Sequence, residues 1–113
     1  MVFSVLIADA YPLMSEGTKK TLSTLDAIDK IFTCHSYRQL KKVLTEQPPD
    51  ILLLHAALDT VDEYLLLQEI RKGHDSGLKI LLISETTSPL EIKRLYKAHL
   101  NGFLLSTAKQ EEL

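Results

Sequence analysis

Short apolar runs alternate with longer amphipathic segments along the chain. The apolar runs predict five strands, over Val2–Ala8, Lys30–Cys34, Ile51–Leu54, Leu78–Ile83 and Phe103–Leu105. Apolar residues spaced three and four positions apart predict four helices between them, over Pro12–Leu25, Tyr37–Thr45, Glu63–Lys72 and Pro89–His99. The run Ile51–Leu54 has no polar alternation, which is typical of a strand buried on both faces of a sheet.

Local signals mark several ends of these elements. The segment Ser88-Pro89-Leu90-Glu91 places serine at an N-cap, proline at the first helical position and glutamate at the third, which is a capping box. Pro48-Pro49 ends the second helix, and Asn101-Gly102 turns the chain into the fifth strand. The segment Ala108–Leu113 resembles the start of a further helix, so we expect the chain to be one domain cut from a longer protein within its last helix.

The order of the elements indicates the fold class. Strand and helix alternate four times before the fifth strand, which predicts an α/β fold with a parallel sheet covered by helices on both faces. Right-handed crossovers favour a doubly wound five-stranded sheet in the order 2-1-3-4-5, the flavodoxin-like arrangement. A chain of 113 residues fits one such domain.

Composition narrows the range of functions. The net charge of -2 provides no strong positive field, so these residues alone are poorly suited to binding DNA. Cys34 is the single cysteine, which excludes an internal disulfide and a cysteine-based zinc motif and favours a reducing cytoplasm. No apolar run approaches the ~20 residues that a membrane span needs, and the N-terminus lacks the basic region of a signal peptide.

Polar residues follow four of the predicted strands. Ligands of open α/β sheets bind beyond the carboxyl ends of the strands, where the strand order changes direction. Asp9, His55, Ser84 and Ser106 stand at those ends, and we expect them to converge in one shallow cleft.

Five segments in order resemble the response-regulator receiver domain of two-component signalling, in the branch that carries a C-terminal LuxR-type helix-turn-helix. The resemblance covers nearly the whole chain and implies a bacterial regulator of transcription that takes part in a phosphorelay. The segments are Val5–Leu13 with Glu16-Gly17, Pro49–Leu54, Asp62 in the following loop, Leu81–Ser84, and Asn101–Leu105 with Phe103 at the aromatic switch position.

The chain departs from the family pattern at the positions that carry the chemistry. The family's pair of acidic residues is reduced to Asp9 followed by Ala10, its phosphoacceptor aspartate falls at His55, and its lysine falls at Ser106. Ser84 keeps the expected hydroxyl. Mg²⁺ prefers a set of hard oxygen ligands, and an acyl phosphate needs a carboxylate nucleophile. These residues therefore predict a degenerate receiver, a vestigial phosphorylation pocket with weak or absent Mg²⁺ binding, no catalytic residue and no cofactor.

The loop after the third predicted strand also departs from the pattern. Asp59 and Thr60 replace the family's usual proline and glycine. Asp59 and Asp62 are interpreted as solvated or capping residues, and a metal-binding role for either is the alternative.

Alternative roles remain open for the same residues. His55 could accept a phosphoryl group or bind a metal with Asp9, or it could be a neutral imidazole that fills the space of a lost site. Asp9 could instead cap the first helix. Asp9, His55 and Ser84 also suggest a hydrolase triad, but no glycines surround Ser84 as a nucleophile elbow requires. Ser84 and Phe103 could form a conformational switch, and the alternative is a satisfied hydroxyl beside a half-buried ring.

The expected output is a protein contact. Lys93, Arg94 and Lys97 form a basic edge on the fourth predicted helix, either a solvated face or the partner surface that the resemblance implies. The resemblance implies a homodimer, a sensor kinase or another partner protein, with DNA reached only through a C-terminal domain that these residues do not include. A small-ligand sensor that uses the emptied cleft is the alternative function.

Overall fold

The computed structural model describes residues 3–55, 63–73, 77–84, 89–97 and 100–105. Within these residues, strands and helices alternate strictly, as the sequence predicts. The elements are β1 (Phe3–Ala8), α1 (Pro12–Leu22), β2 (Ile28–Cys34), α2 (Tyr37–Glu46), β3 (Ile51–His55), α3 (Glu63–Gly73), β4 (Lys79–Ser84), α4 (Pro89–Lys97) and β5 (Gly102–Leu105).

The five strands form one parallel sheet in the order β2-β1-β3-β4-β5. This confirms the predicted fold class and strand order. The chain starts in the middle of the sheet, adds β2 on one side, and then crosses back to build β3, β4 and β5 on the other side. The change of direction lies between β1 and β3, so residues at the carboxyl ends of β1, β2 and β3 are neighbours.

The larger apolar core lies on one face of the sheet. Alternate residues of the central strands point into it, because successive side chains of a strand leave on opposite faces. Its buried members include Leu6, Leu52, Leu54, Ile80 and Leu82 from the strands, Leu40 and Leu44 from α2, and Leu67 and Ile70 from α3.

A smaller core lies on the other face. Val5, Ile7 and Leu53 are its buried strand residues, and Leu22 at the end of α1 packs against them. Because both faces of β1 and β3 are covered, these strands contain almost no exposed position, which explains their uniformly apolar sequences.

Several boundaries differ from the predicted ones by a few residues. The helix expected to reach Leu25 ends at Leu22, because the hydroxyls of Ser23 and Thr24 donate to the carbonyls of Lys20 and Thr21 and tighten the last turn. The strand expected to begin at Lys30 begins at Ile28, where exposed Asp29 and Lys30 hide the strand pattern.

Other element boundaries also differ from the predicted ones by one or two residues. The strand β3 includes His55, and β4 runs from Lys79 to Ser84 instead of from Leu78 to Ile83. The described part of the helix expected to reach about His99 runs from Pro89 to Lys97, with residues 98–99 outside the described residues, and β5 begins at Gly102.

The N-terminus of α2 is fixed by two side chains. The Oγ of Ser36 accepts a hydrogen bond from the backbone N–H of Gln39 at 3.2 Å. The Oε1 of Gln39 in turn accepts from the backbone N–H of His35 at 2.8 Å. This exchange resembles a capping box shifted by one residue, and it holds His35 directly above the end of β2.

The amino edge of the sheet is joined by side chains that bond across strands. The Asp50 carboxylate, just before β3, accepts from the backbone N–H of Ser4 in β1 at 2.8 Å and from its hydroxyl at 3.3 Å. The backbone N–H of Asp50 donates back to the Ser4 hydroxyl at 3.1 Å. These bonds fix the register of two neighbouring strands at their first residues.

Asn101 makes the equivalent connection for β4 and β5. Its Oδ1 accepts from the backbone N–H of Ile80 at 2.8 Å and from an Arg71 guanidinium nitrogen at 2.8 Å. The next residue, Gly102, approaches Leu81 so closely that a Cβ at this position would collide with the Leu81 side chain. Asn101-Gly102 therefore serves the pairing of β5 with β4 as well as the turn.

Some predicted features lie outside the described residues: the Ser88 cap, the loop residues Asp59, Thr60 and Asp62, the end residue Ser106, and the segment Ala108–Leu113. In the described part of the chain, no helix has the length and apolar character that crossing a membrane requires.

Candidate functional site

The register of the sheet places three polar residues side by side at its carboxyl edge. Ala8 in β1 pairs with Cys34 in β2 and with Leu54 in β3. The next residue along each of these three chains is Asp9, His35 or His55. The central strand therefore presents a carboxylate between two imidazoles, at the point where the strand order changes direction.

Asp9 is the buried member of this row, with only 4% of its surface exposed. Its Oδ1 accepts a hydrogen bond from the backbone N–H of Tyr11 at 2.8 Å, and its own backbone N–H donates to the Cys34 carbonyl at 3.0 Å. The N-cap of α1 is Tyr11, which makes no side-chain capping bond. Asp9 thus closes an Asx turn before the helix, so its polar contact is real but it is not the N-cap residue.

His35 is the functional candidate that sequence reasoning missed. Its Nδ1 lies 3.0 Å from the backbone carbonyl oxygen of Asp9. A carbonyl oxygen only accepts, so this bond requires the proton on Nδ1, which leaves Nε2 as the acceptor nitrogen of the neutral ring. The signal available in the sequence was its position, one residue after Cys34 at the end of a strand that neighbours β1.

His55 ends β3 and is half-buried. The Tyr11 ring stands edge-on to the His55 imidazole, with centroids 6.3 Å apart and an interplanar angle of 89°. Aromatic pairs favour this edge-to-face arrangement. Tyr11 itself is 55% exposed, so one residue contacts both the strand-end histidine and solvent.

The other predicted site residues occupy positions along the same sheet. Ser84 is the last residue of β4 and pairs with Leu105, which places it at the carboxyl edge. Phe103 pairs with Leu82 one strand further out. Their roles in a conformational switch, and the place of Ser106 in the pocket, stay predictions.

The donor atoms of the described residues at this edge fit Mg²⁺ poorly. Mg²⁺ requires near-octahedral oxygen coordination, usually with carboxylates and water. In the described part of the edge, Asp9 supplies the carboxylate, and one of its oxygens already accepts the Tyr11 N–H. His35 and His55 supply nitrogen. Among the residues that the structure describes, no three His, Cys, Asp or Glu side chains are grouped so that they could hold a metal ion.

Two surfaces of the protein carry exposed apolar side chains, one at the start of α1 beside the carboxyl edge and one on α4. At the start of α1, Leu13 is 86% exposed and Met14 is 49% exposed, next to Tyr11. On α4, Leu90 and Tyr96 are exposed apolar residues, and Lys93 and Lys97 are exposed cations on the same helix. Arg94, the third residue of the predicted basic edge, also belongs to α4.

Comparison with known proteins identifies the family. A family model described as the response regulator receiver domain matches residues 5–113. No curated protein sequence matches the chain at a significant level.

Solved structures of response regulators share the fold. The isolated REC domain of RcsB from Salmonella enterica serovar Typhimurium superposes with a TM-score of 0.86 at 18% identity, over 97% of this chain and 81% of that chain. A LuxR-family two-component response regulator from Aurantimonas sp. SI85-9A1 gives a TM-score of 0.87 at 15% identity, over 99% of this chain and 79% of that chain. The signal receiver domain of the putative response regulator NarL from Mycobacterium tuberculosis gives 0.85 at 22% identity, over 98% and 89%.

Longer structures of the same proteins extend beyond the matched region. The chain covers 62% of the RcsB chain that was solved bound to promoter rprA. At these identities the likeness to solved structures establishes the fold, and the family model establishes membership. The chain belongs to the response regulator receiver domain family of two-component signalling.

Proposed function

We propose that this receiver domain signals through protein contacts that do not depend on phosphorylation of its carboxyl edge. The observation that carries the proposal is the imidazole of His55 at the last position of β3, beside the buried carboxylate of Asp9. A phosphoryl group transferred to a carboxylate needs a carboxylate at the reacting position and a cation to neutralise the phosphoryl oxygens. The described residues of this edge offer one carboxylate, and it is tied to a backbone N–H.

The exposed apolar residues at the start of α1 support a protein partner. Tyr11, Leu13 and Met14 are each about half exposed or more, within four consecutive positions. Clustered apolar exposure marks interaction sites more often than isolated exposed residues do. Because the Tyr11 ring also contacts His55, a protein bound here would touch the same edge that the family uses for its chemistry.

The α4 surface is the second proposed contact. Exposed Leu90 and Tyr96 supply apolar area, and Lys93 and Lys97 supply positive charge that favours an acidic rim on the partner. A homodimer or a sensor kinase fits either surface. Control of transcription would come from a C-terminal DNA-binding domain of the LuxR type, and one structure that shares this fold is described as a LuxR-family two-component response regulator.

Intact mass measurement tests the proposal. The protein is incubated with Mg²⁺ and a small acyl-phosphate donor, and we expect no phosphorylated species. The matched variant His55→Asp returns a carboxylate to the end of β3, next to Asp9, and we expect its Mg²⁺ affinity to rise by about tenfold or more because two adjacent carboxylates attract a divalent cation. A stable phosphorylated form of the unaltered protein would contradict the proposal.

A further inference from the structure

A groove of about 610 Å³ lies between α2 and α3, away from the row formed by Asp9, His35 and His55. Its residues come from one side of each helix and from the turn after α2. They are Tyr37, Lys41, Leu44, Thr45, Pro48, Glu69, Ile70 and Lys72. A volume of this size falls within the range of about 300–1,000 Å³ that is usual for small-molecule sites.

The floor and the rim of the groove differ in chemistry. Leu44 and Ile70, which are 4% and 3% exposed, belong to the larger apolar core and lie at the floor. The more accessible Tyr37 and Pro48 add apolar surface beside them. Lys41, Lys72 and Glu69 are the charged residues that line the groove. An apolar floor with a few convergent polar groups is the usual composition of a ligand site.

The charge of the rim favours an anion. Two lysines and one glutamate line the groove, so the charged residues of its lining carry a net positive charge although the whole chain has a net charge of -2. The Lys72 ammonium and the Glu69 carboxylate are 3.6 Å apart, but their side chains are 75% and 51% exposed. Exposed pairs of this kind are weak, so an incoming acid can replace Glu69 as the partner of Lys72.

Tyr37 adds a neutral hydroxyl to the same groove. A tyrosine phenol with its ordinary pKa of about 10 already keeps its proton at neutral pH, and burial first, with the nearby Glu69 carboxylate second, raise the pKa of Tyr37 further. A protonated phenol adds no negative charge that would oppose an anion.

We propose that the groove between α2 and α3 binds a small amphipathic anion, with its acidic group between Lys41 and Lys72 and its apolar body on Leu44 and Ile70. This site is separate from the carboxyl edge, so the inference does not depend on how the edge signals. A ligand in this groove would contact both α2 and α3, two helices that cover the larger core. Its binding would therefore regulate the domain without phosphorylation.

Nuclear magnetic resonance titration of the full chain with three probes of one chain length tests the site. The probes are octanoate, octanol and octylamine, which share an apolar body and differ in charge. We expect octanoate to cause saturable shifts at the backbone amides of Leu44, Thr45 and Ile70, with octanol weaker and octylamine about tenfold weaker than octanoate.

Three variants distinguish specific binding in the groove from nonspecific binding to exposed apolar surface. Lys41→Gln should weaken octanoate about three- to tenfold and leave octanol unchanged, because it removes one charged contact. Lys42→Gln alters the next residue of α2, which is exposed and outside the groove, and should have no effect. Thr45→Phe should block octanoate and octanol alike by filling the groove.

Three results would overturn the proposal. Octylamine could bind as well as octanoate, Lys42→Gln could weaken octanoate as much as Lys41→Gln does, or the shifts could cluster at exposed Leu13 and Leu90 instead of in the groove. None of these outcomes depends on whether the carboxyl edge accepts a phosphoryl group.

Discussion

The two edges of the sheet use polar side chains in different ways. At the amino edge, Asp50 bonds to Ser4, 46 residues away, and Asn101 bonds to Ile80 and Arg71, 21 and 30 residues away. At the carboxyl edge, the Asp9 carboxylate bonds to the N–H of Tyr11, two residues along the chain. The carboxylate of Asp50 and the amide of Asn101 join distant strands at the amino edge, whereas the buried Asp9 carboxylate bonds within its own turn. A long-range bond at the carboxyl edge runs from the His35 ring to the Asp9 backbone carbonyl, 26 residues away.

This difference between bonds that join strands and a bond within one turn indicates which polar contacts stabilise the sheet. A bond between distant segments fixes the sheet register, and a buried strand amide loses its partner when that bond is removed. A bond within a turn fixes local backbone shape and leaves the sheet joined. Replacing the Asp9 carboxylate should therefore cost less folding free energy than replacing a side chain that joins strands at the amino edge.

The largest expected effect is at Asn101. Asn101→Ala removes the acceptor for the Ile80 N–H and for Arg71, so we expect a loss of about 2–3 kcal/mol in the free energy of unfolding. Urea denaturation followed by circular dichroism measures it. Asn101→Asp keeps an oxygen at the same position and should cost clearly less. An equal cost for both variants would show that these bonds do not carry the effect.

A smaller effect is expected at Asp9. Asp9→Ala removes the acceptor for one turn N–H, so we expect a loss of about 1 kcal/mol, well below that of Asn101→Ala. Asp9→Asn keeps the Oδ1 acceptor and should lie within about 0.5 kcal/mol of the unaltered protein. The same denaturation measurement compares them. If Asp9→Ala costs as much as Asn101→Ala, the contrast between the edges is wrong.

The smallest effect lies between the two edges, at Tyr37 in the groove. Burial first, and the Glu69 carboxylate second, raise the pKa of Tyr37 above its ordinary value of about 10. The folded state therefore holds this proton more tightly than the unfolded state does. The corresponding stability is fully present below about pH 10 and is lost as the pH rises through the folded-state pKa.

Ultraviolet titration of tyrosinate absorbance, with Tyr37→Phe to assign the step, measures this pKa. Glu69→Gln should lower the pKa of Tyr37 only part of the way to its ordinary value, because burial is the larger cause. Full reversion in Glu69→Gln would show that the carboxylate, and not burial, dominates.

The fold could be predicted because its signals are local. The uniformly apolar run of β3, the alternation of strand and helix, and the Pro48-Pro49 stop all lie within a few residues of the elements they define. The position of His55 at a strand end follows from the same pattern. Ser36 and Gln39 also had a readable local signal, a serine followed three residues later by glutamine.

The contacts between distant segments could not be predicted from the sequence. The bond between Asp50 and Ser4 depends on the pairing of β1 with β3, and no spacing in the sequence encodes it. His35 was not predicted to belong to the site for the same reason, because its place beside Asp9 depends on the register of β2 against β1. The exposed Asp29 and Lys30 obscured the start of β2, whereas its end at Cys34 was predicted correctly.

The edge-on contact between Tyr11 and His55 also makes Tyr11 an intrinsic fluorescent probe of the carboxyl edge. The chain contains four tyrosines and no tryptophan, so its intrinsic emission comes from phenol rings alone. Tyr11 is exposed enough to contact a bound molecule. Its ring is also close enough to the His55 imidazole for its emission to respond when the surroundings of that imidazole change. Binding at the carboxyl edge can thus be followed by tyrosine fluorescence, without an attached dye.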